Sequence, residues 1–315
     1  MKIIIKQDDN PHTGKGFFAQ RLMPALRELG VEITADTSKR ADIALHIGRV
    51  HYKANVRKNI IRVGPACVDS NKNHKAINKA KAESVKKCDA VIYQSQYSKK
   101  VYHHLVCKPN VPETIIFNGA PTVERKQGSR PMFLMATRRW WPQKRLKYAI
   151  RAFAEADILG SVLTVCGDSS MTKWRKTARI RCDKADVFFA GVVNQETLAK
   201  LRAVANAQLH LTYLDACPNS VAEALTAGCP VIGTNQGGTP ELISCDKSGN
   251  SVILDIDKPY KYTIADLNKP PKISIDELVT QLYLYSVQQK NAEAPDLDIN
   301  VIARQYKEFF ELCLK

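Results

Sequence analysis

The fold is decided by the stretch from Tyr213 to Leu242, which reads Tyr-Leu-Asp-Ala-Cys-Pro-Asn-Ser-Val-Ala-Glu-Ala-Leu-Thr-Ala-Gly-Cys-Pro-Val-Ile-Gly-Thr-Asn-Gln-Gly-Gly-Thr-Pro-Glu-Leu. The pattern predicts a polar loop, a short helix, a buried strand, a glycine turn and a second helix. Ser220 is the predicted N-cap of the first helix. Gly228 ends that helix, because glycine tolerates a left-handed backbone.

Two helix N-termini and two glycine turns come close together in such an arrangement. It suits an anion, because backbone N–H groups at helix starts point outward. Asp215 and Glu223 stand eight residues apart across the first turn. Their carboxylates can accept hydrogen bonds from neutral hydroxyls such as those of a sugar or a ribose.

The stretch resembles the donor-binding signature of the retaining glycosyltransferases of family 4, which have the GT-B fold. That signature is an acidic residue, seven others, a glutamate, then Ala, Gly, Pro-Val, Gly-Gly and another glutamate. It matches these positions: Asp215, Glu223, Ala224, Gly228, Pro230, Val231, Gly237, Gly238 and Glu241. The chain departs from it at Asp215, where the family usually has a longer glutamate. The alternative is a generic strand and helix unit without a ligand.

The resemblance implies an α/β protein with two Rossmann-like parallel-sheet domains that face a cleft. The expected domains are an acceptor-binding domain at 1–126, a nucleotide-sugar domain at 131–290, and a last helix at 296–315 that crosses back to the first domain. A polar linker is expected between Val123 and Arg130. The family implies a hexosyl or pentosyl transfer that retains anomeric configuration.

The periodicity of the chain agrees with this fold. Short apolar strands alternate with helices in both halves, which predicts parallel sheets that bind ligands at their carboxyl edges. Pro142 is expected to start a helix that runs to about Ala156. Ser274 and Glu277 form a capping box for a helix over 275–289.

A basic segment follows the first strand of the second half. Arg139 and Lys144 are five residues apart, and cations at this spacing can clamp a diphosphate; they also match an arginine and a lysine of the family. A surface basic patch is the alternative. Trp140 and Trp141 are candidates for stacking on the acceptor, and packing between domains is the competing interpretation.

The remaining donor-binding candidates are glycines and amides. Gly14 and Gly16 stand where the first strand turns to a helix, and the family carries a glycine loop there. Gly167 ends a strand at the position where the family's nucleotide lies. The predicted catalytic set is Arg139, Lys144, Asp215 and Glu223, and the donor set is Gly14, Gly16, Gly167, Asn219, Ser220, Val221, Glu223, Gly237 and Gly238.

No cofactor or metal is expected beyond the nucleotide-sugar donor. Two Asp-x-Asp pairs, at Asp255 and Asp296, lie outside the α/β units, and a two-residue motif recurs by chance. In the GT-B fold, cationic side chains and helix N-termini meet the charge of the leaving diphosphate.

Length and composition set further bounds. The chain has 315 residues, enough for two cores, and 44% of them are hydrophobic. No apolar run is long enough for a transmembrane helix, and the start of the chain reads as a strand rather than a signal peptide. Nine scattered cysteines without a Cys-x-x-Cys pair predict a cytoplasmic protein.

Positive charge is concentrated in one segment. The net charge is +16, and residues 39–108 hold sixteen Lys or Arg against four Asp or Glu, a balance of +12. Such a field attracts polyanions. The expected acceptor is hydroxymethylated pyrimidine in DNA, as in some phages, with contacts from Lys72, Lys75 and Lys79. A lysine-rich solvated surface is the alternative explanation.

Two other functions stay open. One is a peripheral-membrane glycosyltransferase that builds a glycolipid or polysaccharide. An anionic membrane surface is the less favoured partner, because the helix expected at 76–87 lacks large apolar anchors. The other is a non-catalytic nucleic-acid-binding protein.

Overall fold

Apolar runs of three to eight residues build two six-stranded sheets, in which every strand pair is parallel. The computed structural model describes residues 1–6, 13–168, 183–256 and 260–315. The chain divides into two units. The first comprises Met1–Pro121, Tyr260–Asp266 and Asp296–Lys315, and the second comprises Thr122–Pro259 and Leu267–Pro295.

The first unit has the strand order β2-β1-β3-β4-β5-β6. Its strands are β1 (Lys2–Ile4), β2 (Glu32–Thr34), β3 (Ala41–Gly48), β4 (Val56–Val63), β5 (Ala90–Tyr93) and β6 (Glu113–Ile115). Its first three helices are α1 (Gly14–Glu28), α2 (His74–Val85) and α3 (Gln96–Leu105). Thr13, Asn73 and Ser95 cap these helices with side-chain oxygens.

The second unit has the strand order β12-β11-β10-β7-β8-β9. Its strands are β7 (Met132–Arg139), β8 (Val162–Asp168), β9 (Asp186–Gly191), β10 (Ala207–His210), β11 (Val231–Thr234) and β12 (Val252–Leu254). The helices described in it are α4 (Leu146–Ala156), α5 (Gln195–Val204), α6 (Asn219–Thr226), α7 (Thr239–Ile243) and α8 (Ile275–Val287). Ser274 caps α8 through the Glu277 amide, which confirms that prediction.

Each unit has its own core. In the first, the last helix α9 (Ile299–Leu314) places Tyr306 and Phe310 among the buried residues of α1, and the ring centroids of Phe18 and Tyr306 lie 5.9 Å apart. In the second, the core gathers around Phe133 and Phe153 between the sheet and helices α4 and α8. Each sheet is thus stabilised by apolar burial within its own unit.

The segment predicted as a linker belongs to the second unit. Arg125 anchors it there, because the guanidinium donates to the carbonyl oxygens of Arg202 at 2.7 Å, Ala205 at 2.5 Å and Lys290 at 3.1 Å. The segment 123–130, expected as a linker, thus groups with the second unit, and the division between the units lies at Pro121 and Thr122, whereas the first domain was expected to end at 126. A polar composition marked this segment as a loop, but the contacts that hold it are distant in sequence.

A second correction concerns residues 260–266, which were assigned to the nucleotide-sugar domain. They belong to the first unit, where Ala265 forms an isolated parallel bridge with Asp69. The Asn71 amide also donates to Asp266 at 2.6 Å. A single backbone bridge of this kind leaves no periodic signal in the sequence.

The helix expected from Pro142 is interrupted. Residues Pro142–Lys144 form one turn of 3-10 helix, and Arg145 then adopts a left-handed backbone with φ of 53°. Helix α4 begins only at Leu146. This break sets the orientation of the two basic side chains at positions 144 and 145.

Candidate active site

The loop after β10 and the glycine turn after β11 pack backbone against backbone. The Gly238 N–H donates to the Asp215 carbonyl at 2.7 Å. Gly237 has φ of +72°, and a Cβ added there would lie 2.4 Å from the Asp215 carbonyl oxygen. Only glycine fits this close approach. The two parts of the predicted signature are therefore brought together as expected.

Lys144 and Asp215 meet at this loop. The Lys144 amine lies 3.5 Å from the Asp215 carboxylate, and their side chains are 17% and 29% exposed. The Tyr213 N–H donates to the Gln143 carbonyl at 2.9 Å, so the 3-10 turn and the loop are also joined through their backbones. Two residues predicted for the same site, 71 positions apart in the chain, thus form an ion pair.

Arg145 connects the segments that lie around the Lys144–Asp215 pair. Its guanidinium, 2% exposed, donates to the Leu211 carbonyl at 2.8 Å, to the Gln236 side-chain oxygen at 2.8 Å and to the Pro271 carbonyl at 2.9 Å. Burial lowers the pKa of Arg145 to about 10. The group stays charged at neutral pH and fixes the segments that carry Lys144 and Asp215. Arg145 was not predicted as a functional residue, because the only sign of its role in the sequence is its position next to Lys144.

Glu223 is oriented by a buried arginine. The Arg202 guanidinium lies 2.6 Å from the Glu223 carboxylate, with side-chain exposures of 3% and 11%. Arg202 also donates to the Gln208 side-chain oxygen at 3.0 Å, and the Gln208 amide donates to the Ser220 carbonyl at 2.6 Å. The ion pair and these two hydrogen bonds join Glu223 to β10 and to the first turn of α6.

His210 lies at the carboxyl end of β10, beneath the same loop. Its Nδ1 is 3.3 Å from the Ser220 hydroxyl. Burial lowers the pKa of His210 to about 4; Asp215 raises it and Lys144 lowers it by smaller amounts. The imidazole is therefore neutral at pH 7. The sequence does contain a signal for His210, since it is a polar residue at the end of a buried strand, but His210 was not among the predicted site residues.

The start of α6 differs from the prediction. The helix begins at Asn219 with Pro218 at its N-cap, so Ser220 is inside the first turn rather than its cap. The Val221 N–H, predicted to hold a diphosphate, donates to the Pro218 carbonyl at 3.0 Å. The Val221 amide therefore closes the first turn of the helix, in which the Pro218 carbonyl is its acceptor.

Arg139 lies at the exposed carboxyl end of β7, which neighbours β10 in the sheet. Gly167 packs against the same segment: its φ is +139°, and an added Cβ would lie 2.1 Å from the Thr137 carbonyl oxygen. These predicted residues therefore share the edge of the sheet that carries Asp215. The structure gives Arg139 and Gly167 adjoining places there.

The two tryptophans have different surroundings. Trp140 is 6% exposed and belongs to the core of the second unit, so its ring is not available for stacking on an acceptor. Its assignment to acceptor binding was wrong, because the ring fills the space above Gly167. Trp141 is 56% exposed and keeps a free ring face.

The other predicted residues lie in the first unit. Gly14 and Gly16 are in the first turn of α1 rather than in a loop, and the Gly16 N–H donates to the Thr13 hydroxyl at 3.1 Å. Lys72 pairs with Asp69 at 3.5 Å. Lys75 and Lys79 line an open depression of about 600 Å³ beside α2, together with Lys86 and Ile264.

Within the parts of the chain that the structure describes, no three His, Cys, Asp or Glu side chains gather as metal ligands. Asp255 accepts from the Asn235 amide at 3.0 Å, and Asp298 caps α9 through the Asn300 amide. Asp257 lies outside the described residues. None of the described helices is long and apolar enough to cross a bilayer.

A family model matches part of the chain. Residues 121–258, almost all of them in the second unit, match the model described as Glycosyl transferases group 1. The prediction of a glycosyltransferase enzyme is confirmed at this level. No curated protein matches the sequence.

Solved structures show the same fold over the whole chain. The sucrose-phosphate synthase of Thermosynechococcus elongatus has a TM-score of 0.72 at 12% identity, with 99% of this chain and 98% of that chain covered. Anabaena HepE in complex with UDP has a TM-score of 0.67 at 13% identity, with 99% of each chain covered. AviGT4, a glycosyltransferase involved in avilamycin A biosynthesis, has a TM-score of 0.63 at 17% identity, with 99% and 97% covered. These likenesses confirm the predicted GT-B architecture of two parallel-sheet domains.

Proposed function

We propose that the chain transfers a sugar from a nucleotide-sugar donor to an acceptor hydroxyl, and that the second unit binds the donor. The Lys144–Asp215 pair carries this proposal, because it joins a cation and a hydroxyl acceptor at the loop that packs on the Gly237–Gly238 turn. UDP in the HepE structure supports a nucleotide donor by analogy of fold.

Each side chain has a proposed role in binding. Lys144 and Arg139 hold the diphosphate, and Asp215 accepts hydrogen bonds from the sugar. Glu223 accepts from the ribose hydroxyls, since the Arg202 guanidinium, 2.6 Å away, fixes the position of its carboxylate. Arg145 and His210 are positioning residues, because they support the loops and face the pair from within the unit.

The proposed reaction is retaining and needs no metal. The bond between the anomeric carbon and the donor phosphate oxygen breaks, and the acceptor oxygen bonds to the same face of the sugar. The acceptor proton passes to the departing phosphate oxygen. Negative charge grows on that phosphate in the transition state, so cations placed beforehand at Lys144 and Arg139 lower the barrier.

The finer proposal is that the acceptor is modified DNA. It rests on the charge of residues 39–108, which carry +12 of the total +16 and belong to the first unit. Helix α2 within this segment exposes lysines but no large apolar side chain, which disfavours insertion into a membrane surface. The eight cysteines that the structure describes are free thiols, which supports a cytoplasmic site of action.

The test is release of nucleoside diphosphate from a panel of nucleotide sugars, with and without DNA that contains hydroxymethylated pyrimidines. We expect release with one donor, and with the modified DNA only. Release with a lipid or glycan acceptor instead would favour glycan assembly. A binding protein without catalytic activity would release nothing.

Two variants test the site. Lys144→Ala should lower kcat/KM by a factor of about 100 or more, as loss of one charged contact to the transition state does. Glu223→Gln should lower kcat/KM chiefly by raising KM for the donor, because the ribose contact is made in the ground state as well. Lys147→Ala, an exposed lysine in the first turn of α4, is the matched control and should keep full activity. Full activity in either site variant would refute the assignment.

A further inference from the structure

Three cationic side chains converge at the carboxyl edge of the first sheet. Strands β3 and β4 end side by side, since Gly48 is the register partner of Val63. Arg49 and Gly64 therefore follow at the same edge. In parallel α/β units this is the edge where ligands bind. Neither Arg49 nor Lys81 was singled out from the sequence.

Two glycines leave the space between these cations open. A Cβ added at Gly64 would lie 3.6 Å from the Lys81 amine and 3.9 Å from the Gly48 Cα. A Cβ added at Gly48 would lie 3.7 Å from Cδ of Lys15, the second residue of α1. Lys15 and Lys81 thus lie on either side of Gly48 and Gly64, two glycines that are neighbours in space.

Lys81 is held in place by the loop after β4. Its amine donates to the Pro65 carbonyl at 2.7 Å. The loop is in turn fixed on α2, because the Asn78 side chain accepts from the Cys67 N–H at 2.8 Å and donates to the Cys67 carbonyl at 3.0 Å. A lysine ammonium has three donors, so two remain for a ligand.

The electrostatic surroundings of Lys81 are positive. The pKa of Lys81 is lowered to about 8, mainly by burial and also by the charges of Arg49 and Lys15, while Cys67 acts in the opposite direction. Asp8 and Asp9 precede α1 in sequence but lie outside the described residues. Cations that repel one another at a fixed site gain most from a shared anion.

We propose that Lys15, Arg49 and Lys81 bind a phosphate group of the acceptor. A phosphate suits the cluster better than a carboxylate, because it carries up to two charges and enough oxygens for three cations. That this phosphate belongs to the acceptor rests on the proposed function, in which the first unit binds the acceptor. Binding of the anion itself depends on the cluster alone.

The first experiment titrates inorganic phosphate at constant ionic strength and follows the midpoint of thermal unfolding. It is done in Lys144→Met protein, so that the donor site does not contribute. We expect stabilisation that rises with phosphate, as a ligand of the folded state gives. Arg49→Met and Lys81→Met should each raise the apparent Kd about tenfold or more. Lys100→Met, on the exposed side of α3, is the matched control and should leave the Kd unchanged.

Unfolding midpoints without phosphate show whether each variant is folded. Equal phosphate affinity in Arg49→Met, Lys81→Met and Lys100→Met would overturn the proposal. Competition then identifies the source of the phosphate: a duplex oligonucleotide competes if it is a phosphodiester of DNA, and glucose 6-phosphate if it is a small phosphomonoester. If neither competes, the site binds an adventitious ion only and the acceptor role is refuted.

The outcome is separable from that of the proposed function. Nucleoside diphosphate binding by wild-type protein tests the donor site and does not involve the cluster. The variants Arg49→Met and Lys81→Met should bind UDP as tightly as wild type if the two sites are independent. Loss of phosphate binding with intact UDP binding supports both proposals. If the wild-type protein does not bind UDP, the proposed function with a UDP-sugar donor is contradicted. The phosphate titration still tests the Lys15, Arg49 and Lys81 cluster, because it does not depend on UDP.

Discussion

At the scale of single residues, the site depends on backbone contacts that leave no space for a side chain. Gly237 is the sharpest case, since it combines a left-handed φ of +72° with a carbonyl 2.4 Å from the position of a Cβ. A substitution there must displace the Asp215 loop. The same steric requirement explains why the glycine was recognisable in the sequence.

Gly237→Ala is expected to destabilise the protein by about 2–4 kcal/mol, of which about 1–2 kcal/mol is backbone strain. Gly249→Ala is the matched control, because Gly249 has φ of +68° but no atom within 4 Å of an added Cβ. Denaturant unfolding of both variants measures the difference. UDP binding should weaken in Gly237→Ala only. Equal destabilisation in the two variants would show that the contact with Asp215 does not matter.

His210 makes stability depend on pH. Its pKa is lowered by burial from 6.5 to about 4 in the folded state, so the unfolded chain binds the proton more readily. The contribution is fully present above pH 6.5. It is lost at about 1.4 kcal/mol per pH unit as the pH falls toward 4, which amounts to roughly 3 kcal/mol.

His210→Gln should therefore lose less stability than wild type between pH 6.5 and 4. Urea unfolding at half-unit pH steps measures the difference, and other titrating groups cancel because both proteins contain them. His104→Gln, on the exposed side of α3, serves as the control and should follow wild type. If the His210→Gln curve runs parallel to wild type, the imidazole is not buried in its neutral form.

At the scale of elements, most strands and helices could be predicted, because their signals are local. Ser274 caps the helix expected of it, and the short apolar runs form strands that alternate with helices in both units. Arg145 and Arg125 could not be predicted in this way. Their partners lie 126 and 165 residues away, so no periodicity records the contacts.

The last helix shows what long-range packing contributes. In α9, Phe310 is fully buried against Tyr306 with ring centroids 5.8 Å apart, although the helix lies almost 300 residues from its partner α1. Its apolar spacing predicted an amphipathic helix. The spacing does not specify the partner, since any apolar surface would satisfy it.

Phe310→Ala should destabilise the first unit by about 3–5 kcal/mol, as loss of a buried aromatic ring does. Leu312→Ala, two residues on and 62% exposed, should change stability little. Thermal unfolding monitored by circular dichroism compares them. Because α9 closes the core of the first unit, UDP binding by folded protein should survive in both variants. A loss of UDP affinity in folded Phe310→Ala protein would show that the first unit contributes to donor binding.

At the scale of the whole molecule, the uneven charge is the property that the fold does not explain. Sequence and structure agree that the excess of +12 lies in residues 39–108 of the first unit. The charge is not needed for the core, which is apolar: among the Lys, Arg, Asp and Glu side chains that the structure describes in this unit, only Arg62 and Asp69 are buried. A localised excess is expected to act on a polyanionic partner, through release of its counterions.

This reasoning predicts the salt dependence of DNA binding. For a 20-base-pair duplex, the logarithm of the binding constant should fall linearly with the logarithm of salt concentration. Neutralising Lys72, Lys75 and Lys79 together with glutamine should make the slope less negative by up to about 3, because each lost phosphate contact contributes about 0.9.

The control removes the same number of charges from the second unit, at Lys147, Lys200 and Lys247, which are all exposed. If binding followed net charge alone, both triple variants would shift the slope equally. If α2 contacts the phosphates, only the first triple variant changes it. Fluorescence anisotropy between 50 and about 200 mM salt resolves the two cases, since that range changes such affinities by orders of magnitude. Equal slopes in all three proteins would exclude α2 from the DNA-binding surface and direct attention back to a glycan or lipid acceptor.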